Sequence, residues 1–127
     1  MGENIYMNEK RKDIRFETLA KVRIKEIGKE SFPLRDLSVT GCRVECPIEK
    51  DIMPNMLFSL EIIPEKPSKI KLFTIKVESK WVRVGVCTCE AGFLIVDPPK
   101  GEQFQRYIDY LSWRYSRGES MTNTENV

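Results

Sequence analysis

At 127 residues, with 41% hydrophobic and 31% charged positions, the chain has the size and composition of one compact soluble domain. Its 21 basic and 19 acidic residues leave a formal charge of +2, so no broad positive field draws it to nucleic acid or anionic lipid. Histidine is absent, which removes Ser-His and Cys-His dyads, HExxH zinc sites and imidazole bases, and puts binding ahead of catalysis.

The opening MGENIYMNEK lacks the apolar stretch of a secretory signal, and no apolar run approaches the ~20 residues that span a bilayer. These features predict a cytoplasmic protein without membrane insertion. Residues 1–9 read as a flexible leader and 10–16 as a charged loop. From Leu19 the pattern changes: Ala20, Val22 and Ile24 alternate with Lys21, Arg23 and Lys25, a strand with one face on a core. Gly28 allows a turn, and Phe32 and Leu34 open a second alternating stretch toward Asp36. Cys42, Val44 and Cys46 alternate up to Pro47, and Phe58, Leu60 and Ile62 up to Pro64.

Residues 70–86 read as a long strand or a hairpin with a defect. Phe73, Ile75 and Val77 lie on odd positions, Val82, Val84 and Val86 on even ones, so the parity switches near Lys80-Trp81. Such a switch predicts a bulge or bend, as in a strand wrapping a barrel. Residues 92–96 are continuously apolar and predict a strand covered on both faces. Phe104, Tyr107, Ile108, Leu111 and Tyr115 recur at helical spacing over 101–117, with Asp97-Pro98 as cap, Gly118 as stop, and an aromatic stripe for one open end of the sheet. Residues 119–127 read as a disordered tail. The sum is an all-β fold, a small antiparallel barrel of about six strands with a C-terminal α-helix, in a single domain over 10–118 with the barrel at 19–97.

Cys42, Cys46, Cys87 and Cys89 are spaced C-x3-C and C-x-C, unlike the CxxC pairs of structural zinc sites. They read as small buried hydrophobes; a four-thiolate metal site would need the two strand ends to meet. No cofactor is predicted. Trp81 reads as a core residue, with lining of a site the alternative, and Trp113 has no assigned role.

Two constellations carry chemistry. Arg11-Lys12-Asp13-Ile14-Arg15 follows Lys10, and Asp36-Leu37-Ser38-Val39-Thr40-Gly41 sits between two predicted strands. Taken singly, a basic cluster is a solvated segment and an Asp-x-Ser turn organises backbone. Together they are coherent. Arginine pairs bidentately with phosphate or with guanine O6 and N7 and stacks on purines. Aspartate accepts from the N1-H and N2-H edge of guanine, a serine hydroxyl donates to phosphate, and glycine lets the backbone approach.

Arg-x3-Arg as RKDIR, followed by Asp-x-Ser-x2-Gly as DLSVTG, resembles the signature of the PilZ family, and the GFLIVD strand before a C-terminal helix is similar to its later elements. The resemblance spans Lys10 to about Tyr115. It implies a six-stranded antiparallel barrel whose ligand is cyclic di-GMP, held by Lys10, Arg11, Arg15, Asp36, Ser38 and Gly41. It also implies a change of conformation on binding and output through an unidentified effector protein. Lys10 stands where many members carry another arginine; lysine keeps the charge but loses planar stacking. Two other classes compete with this reading. A nucleic-acid-binding barrel would use Lys21, Arg23 and Lys25 to track a phosphate backbone, and a scaffold of the same fold would bind protein alone.

Overall fold

The computed structural model describes residues 14–47, 52–97, 99 and 101–118. Among these residues seven strands precede one α-helix: β1 (Phe16–Glu17), β2 (Lys21–Ile24), β3 (Ser31–Leu37), β4 (Gly41–Pro47), β5 (Leu57–Ile63), β6 (Phe73–Val84), β7 (Thr88–Asp97) and α1 (Gln103–Ser116). They pair antiparallel in the order β1-β3-β2-β5-β6-β7-β4, and a further β3–β4 pairing closes six of them into a barrel. Closure leaves those six without a long unpaired edge. The two-residue β1 lies on β3 beyond β2, pairing Phe16 with Leu37 and Glu17 with Asp36. Thr18 spans the break between β1 and β2: its hydroxyl donates to Leu34 O at 2.6 Å and accepts from Ala20 N at 3.1 Å.

Alternation decides what is inside. Val22, Ile24, Leu34, Val44, Leu60, Ile62, Ile75 and Val77 are all at most 1% exposed and form one continuous core. Each such aliphatic side chain contributes about 1.5–3 kcal/mol when fully buried. Helix α1 buries Phe104, Tyr107, Ile108 and Leu111 into the same core. Phe73, the first residue of β6, meets Phe104 edge-on at 6.0 Å, and Phe16 of β1 meets Tyr115 edge-on at 5.8 Å. The Tyr107 hydroxyl donates to Glu65 Oε1 at 2.6 Å, and burial together with that carboxylate pushes its phenol well above the ordinary range.

Several expectations need correction. The helix is not capped by Asp97-Pro98: β7 runs through Asp97 and the N-cap is Glu102, without a side-chain cap. In β7, Leu94 and Val96 are 41% and 38% exposed, so the strand is not covered on both faces. The parity switch in β6 is a real register shift between Ser79 and Trp81, but of the even-numbered valines only Val82 packs on the core, while Val84 and Val86 are exposed. Cys87 is exposed, whereas Cys42, Cys46 and Cys89 are buried. Among the described residues no helix is long and apolar enough to cross a membrane, and no cluster of potential metal ligands occurs.

Candidate functional site

The site is built by two bulges. In β3 the pairing with β4 slips between Leu34 and Asp36, with Leu34 opposite Val44 and Asp36 opposite Arg43. Without the extra residue, Asp36 would share the inward face of Phe32 and Leu34; with it, Leu37 turns inward and Asp36 meets the outward-facing Arg43. In β6 the slip at Ser79/Trp81 comes after the inward odd-numbered face of Phe73, Ile75, Val77 and Ser79, and turns Trp81 out. Trp81 lies opposite Gly92 of β7, and a Cβ at 92 would overlap its indole. Gly92 is the seat of the indole. Trp81 is therefore 40% exposed on the outer wall, not a core residue.

Between these points runs an open cleft of about 410 Å³ across β3, β4, β7 and β6, lined by Arg15, Asp36, Gly41, Arg43, Lys80 and Trp81 among others. Its size falls within the ~300–1,000 Å³ of small-molecule sites. Asp36, only 7% exposed, is held from two sides. Arg15 Nη1 donates to Oδ1 at 3.1 Å, and Arg43 Nε lies 3.1 Å from Oδ2 as an ion pair without hydrogen-bond alignment. The charges continue outward: Arg43 Nη1 lies 3.6 Å from Glu90 Oε1, to which Arg83 Nη2 donates at 2.9 Å. That bond from Arg83, helped by the charges of Arg43 and Arg35, holds the Glu90 carboxyl below the usual range. Arg83 in turn sits over the Trp81 ring at 5.2 Å.

The turn between β3 and β4 is organised by Ser38. Its hydroxyl is fully enclosed, accepts from the backbone N–H of Thr40 and of Gly41, each at 3.2 Å, and the Ser38 N–H donates to Gly41 O at 2.8 Å. A side chain at Gly41 would collide with the carbonyl of Phe93, so glycine lets β4 and β7 close beneath the cleft. Cys42, just below, is a buried thiol pushed up to about 12 by desolvation and by Asp36, and is inert as a nucleophile.

Comparison with known proteins fits this geometry. The model of the PilZ domain matches residues 9–110. The chain belongs to the PilZ domain family. No curated protein matches it. Among solved structures, the PilZ domain with c-di-GMP of YcgR from Escherichia coli is similar, with a TM-score of 0.63 and 18% identity over 84% of this chain and 94% of that one. At that identity the likeness establishes the PilZ barrel.

Of the residues that the motifs single out, Arg15, Asp36 and Gly41 come together on the cleft, while Ser38 lies in the adjoining turn with its hydroxyl turned into the backbone. Lys10 and Arg11 lie outside the described residues, as do 1–9, the rest of 10–13 and the tail at 119–127. The sequence reading missed Arg43, Lys80, Gly92 and the Glu90–Arg83 pair. Arg43 had one signal, its outward position two residues past Gly41 in an alternating strand.

Proposed function

We propose that this PilZ domain, residues 10–118, is a receptor for cyclic di-GMP and binds it in the cleft between Asp36 and Trp81. One observation carries the reading: a single carboxylate is fixed between two guanidinium groups on a cleft wall that also carries an exposed indole. Arginine forks suit the phosphates and the O6/N7 edge of guanine, a carboxylate suits the N1-H/N2-H edge, and an indole face suits stacking. Lys10 and Arg11 join the site through the motif. The similar YcgR domain carries c-di-GMP, which supports the same ligand class here. Binding changes the conformation at the rim of the cleft, and the altered surface is read by an effector protein in the cytoplasm.

The nucleic-acid alternative is weaker at its own residues, because Arg23, the middle cation of Lys21, Arg23 and Lys25, is engaged by Glu61 at 3.0 Å. Calorimetric titration with cyclic di-GMP, cyclic di-AMP and GTP tests the proposal. Saturable binding of cyclic di-GMP at one site class, preferred over the other two, is expected; the absence of any heat or competition with cyclic di-GMP would overturn it.

A further inference from the structure

Cys46 of β4 and Cys89 of β7 are directly opposed in the ladder, and their sulfurs are 3.2 Å apart inside the barrel wall. Directly opposed antiparallel residues have Cα atoms about 4.5–5.5 Å apart, within the roughly 4.4–6.8 Å that a disulfide bridges. The sulfurs need to approach by about an ångström to reach the ~2.05 Å of a bond, which side-chain rotation supplies without moving a strand. The pair is buried, at 1% and 3% exposure, and among the described residues one rung, Pro47 opposite Thr88, lies beyond it at that end of the ladder. Strand ends open locally at low cost, which gives a small oxidant a route to this rung.

We infer that Cys46 and Cys89 form a peroxide-responsive dithiol that closes into a cross-strand disulfide. One thiol gives up its proton and its sulfur attacks hydrogen peroxide; the O–O bond breaks, the sulfur keeps one oxygen as a sulfenic acid, and the departing hydroxide takes up the proton as the first water. The partner thiol likewise gives up its proton and attacks that sulfur; the S–S bond forms, the S–O bond breaks, and the hydroxide leaves with the proton as the second water. Two thiols are oxidised by two electrons, and one peroxide is reduced to two waters. Cys42 is set apart by position, since the residue opposite it in the ladder is Phe93 and not a cysteine. The two strands being stapled are those that carry Arg43 and Gly92, three residues from the pair, into the cleft. Oxidation therefore fixes the ladder beneath the ligand site.

The test needs no ligand, so its outcome is separate from that of the cyclic di-GMP reading. Reduced, folded full-length protein is exposed to hydrogen peroxide, quenched in acid, alkylated after denaturation and mapped without reductant. A Cys87→Ser variant, altered only at the exposed thiol, is treated in parallel. In both, a Cys46–Cys89 linked peptide should dominate over any linkage between chains, and dithiothreitol should restore both thiols. The oxidised form should also melt several degrees higher, because a staple across a long loop restricts the unfolded chain. All cysteines still alkylatable in the Cys87→Ser protein, or sulfinic acid at Cys89 in place of the linked peptide, would overturn the inference.

Discussion

Asp36 and Arg15, 21 residues apart in sequence, meet at the rim of the cleft, with Arg15 Nη1 donating to Asp36 Oδ1 at 3.1 Å. Half of the Arg15 side chain stays exposed while that of Asp36 is nearly covered, at 50% and 10%. The aspartate is the fixed partner and the arginine the movable one. A ligand can draw Arg15 away without unfolding β3, since Arg43 still balances the carboxylate from the other side.

Replacing Arg15 by alanine should weaken cyclic di-GMP binding by about 30- to 150-fold, the loss of one set of charge-assisted bonds worth about 2–3 kcal/mol. The melting temperature should hardly move, because Arg15 is half exposed and Arg43 still balances Asp36 once it is gone. Arg11→Ala should match it in affinity. Calorimetry on both variants checks this, and wild-type affinity in each would remove the arginines from the site.

Asp36→Ala should act differently. It leaves Arg15 and Arg43 without their shared counter-charge, the latter with a buried Nε, and should cost about 1–3 kcal/mol of stability. The cleft becomes more positive, so general attraction for anions rises while the acceptor for the guanine N1-H/N2-H edge disappears. The preference for cyclic di-GMP over cyclic di-AMP should therefore narrow. A preference unchanged from wild type would reduce Asp36 to an organiser of the two arginines.

How far the sequence reveals this molecule depends on which interactions are local. Alternation in 20–24, 32–34, 42–46 and 58–62 is local, and those positions are the inward faces of β2, β3, β4 and β5. The run at 92–96 misleads because an apolar residue against a cleft looks the same in sequence as one under a second layer; Leu94 lines the cleft and Gly92 lies beneath Trp81. Arg15 and Asp36 are found because their motifs are contiguous. The Arg43–Glu90–Arg83 chain is not, because those residues meet only through the β4–β7 and β6–β7 registers, and a single-residue bulge resets which side chains face each other.

Glu90 gives a pH-dependent prediction. Arg83 and Arg43 hold its carboxyl below the ordinary value of 4.5, so the folded protein binds this proton less readily than the unfolded chain. Its stabilisation is complete above the ordinary carboxylate range and is lost as pH falls through the lowered folded value. Glu90→Gln should thus melt lower than wild type at about pH 7, and the gap should close toward about pH 3. Thermal melts of the two proteins across that interval decide it. A gap that stayed constant with pH would mean that Glu90 acts by packing alone.

Gly92 and Trp81 supply the last prediction. The indole occupies the space where a side chain at 92 would begin, so Gly92→Ala cannot be accommodated without moving the ring. Both positions lie on the outer wall, and Trp81 is already 40% exposed, so a displaced ring swings into solvent without opening a core cavity. The fold should persist, with fluorescence from Trp81 shifted to the red. Binding should suffer nearly as much as in Trp81→Ala, for which lost stacking on a guanine predicts about 1–3 kcal/mol, or roughly 5- to 150-fold in affinity. The comparison of the two variants is what discriminates. If Trp81→Ala weakens binding and Gly92→Ala does not, the ligand does not depend on the indole being seated on β7. If neither does, the aromatic face lies outside the site, and the ligand is held by the arginine–aspartate side of the cleft.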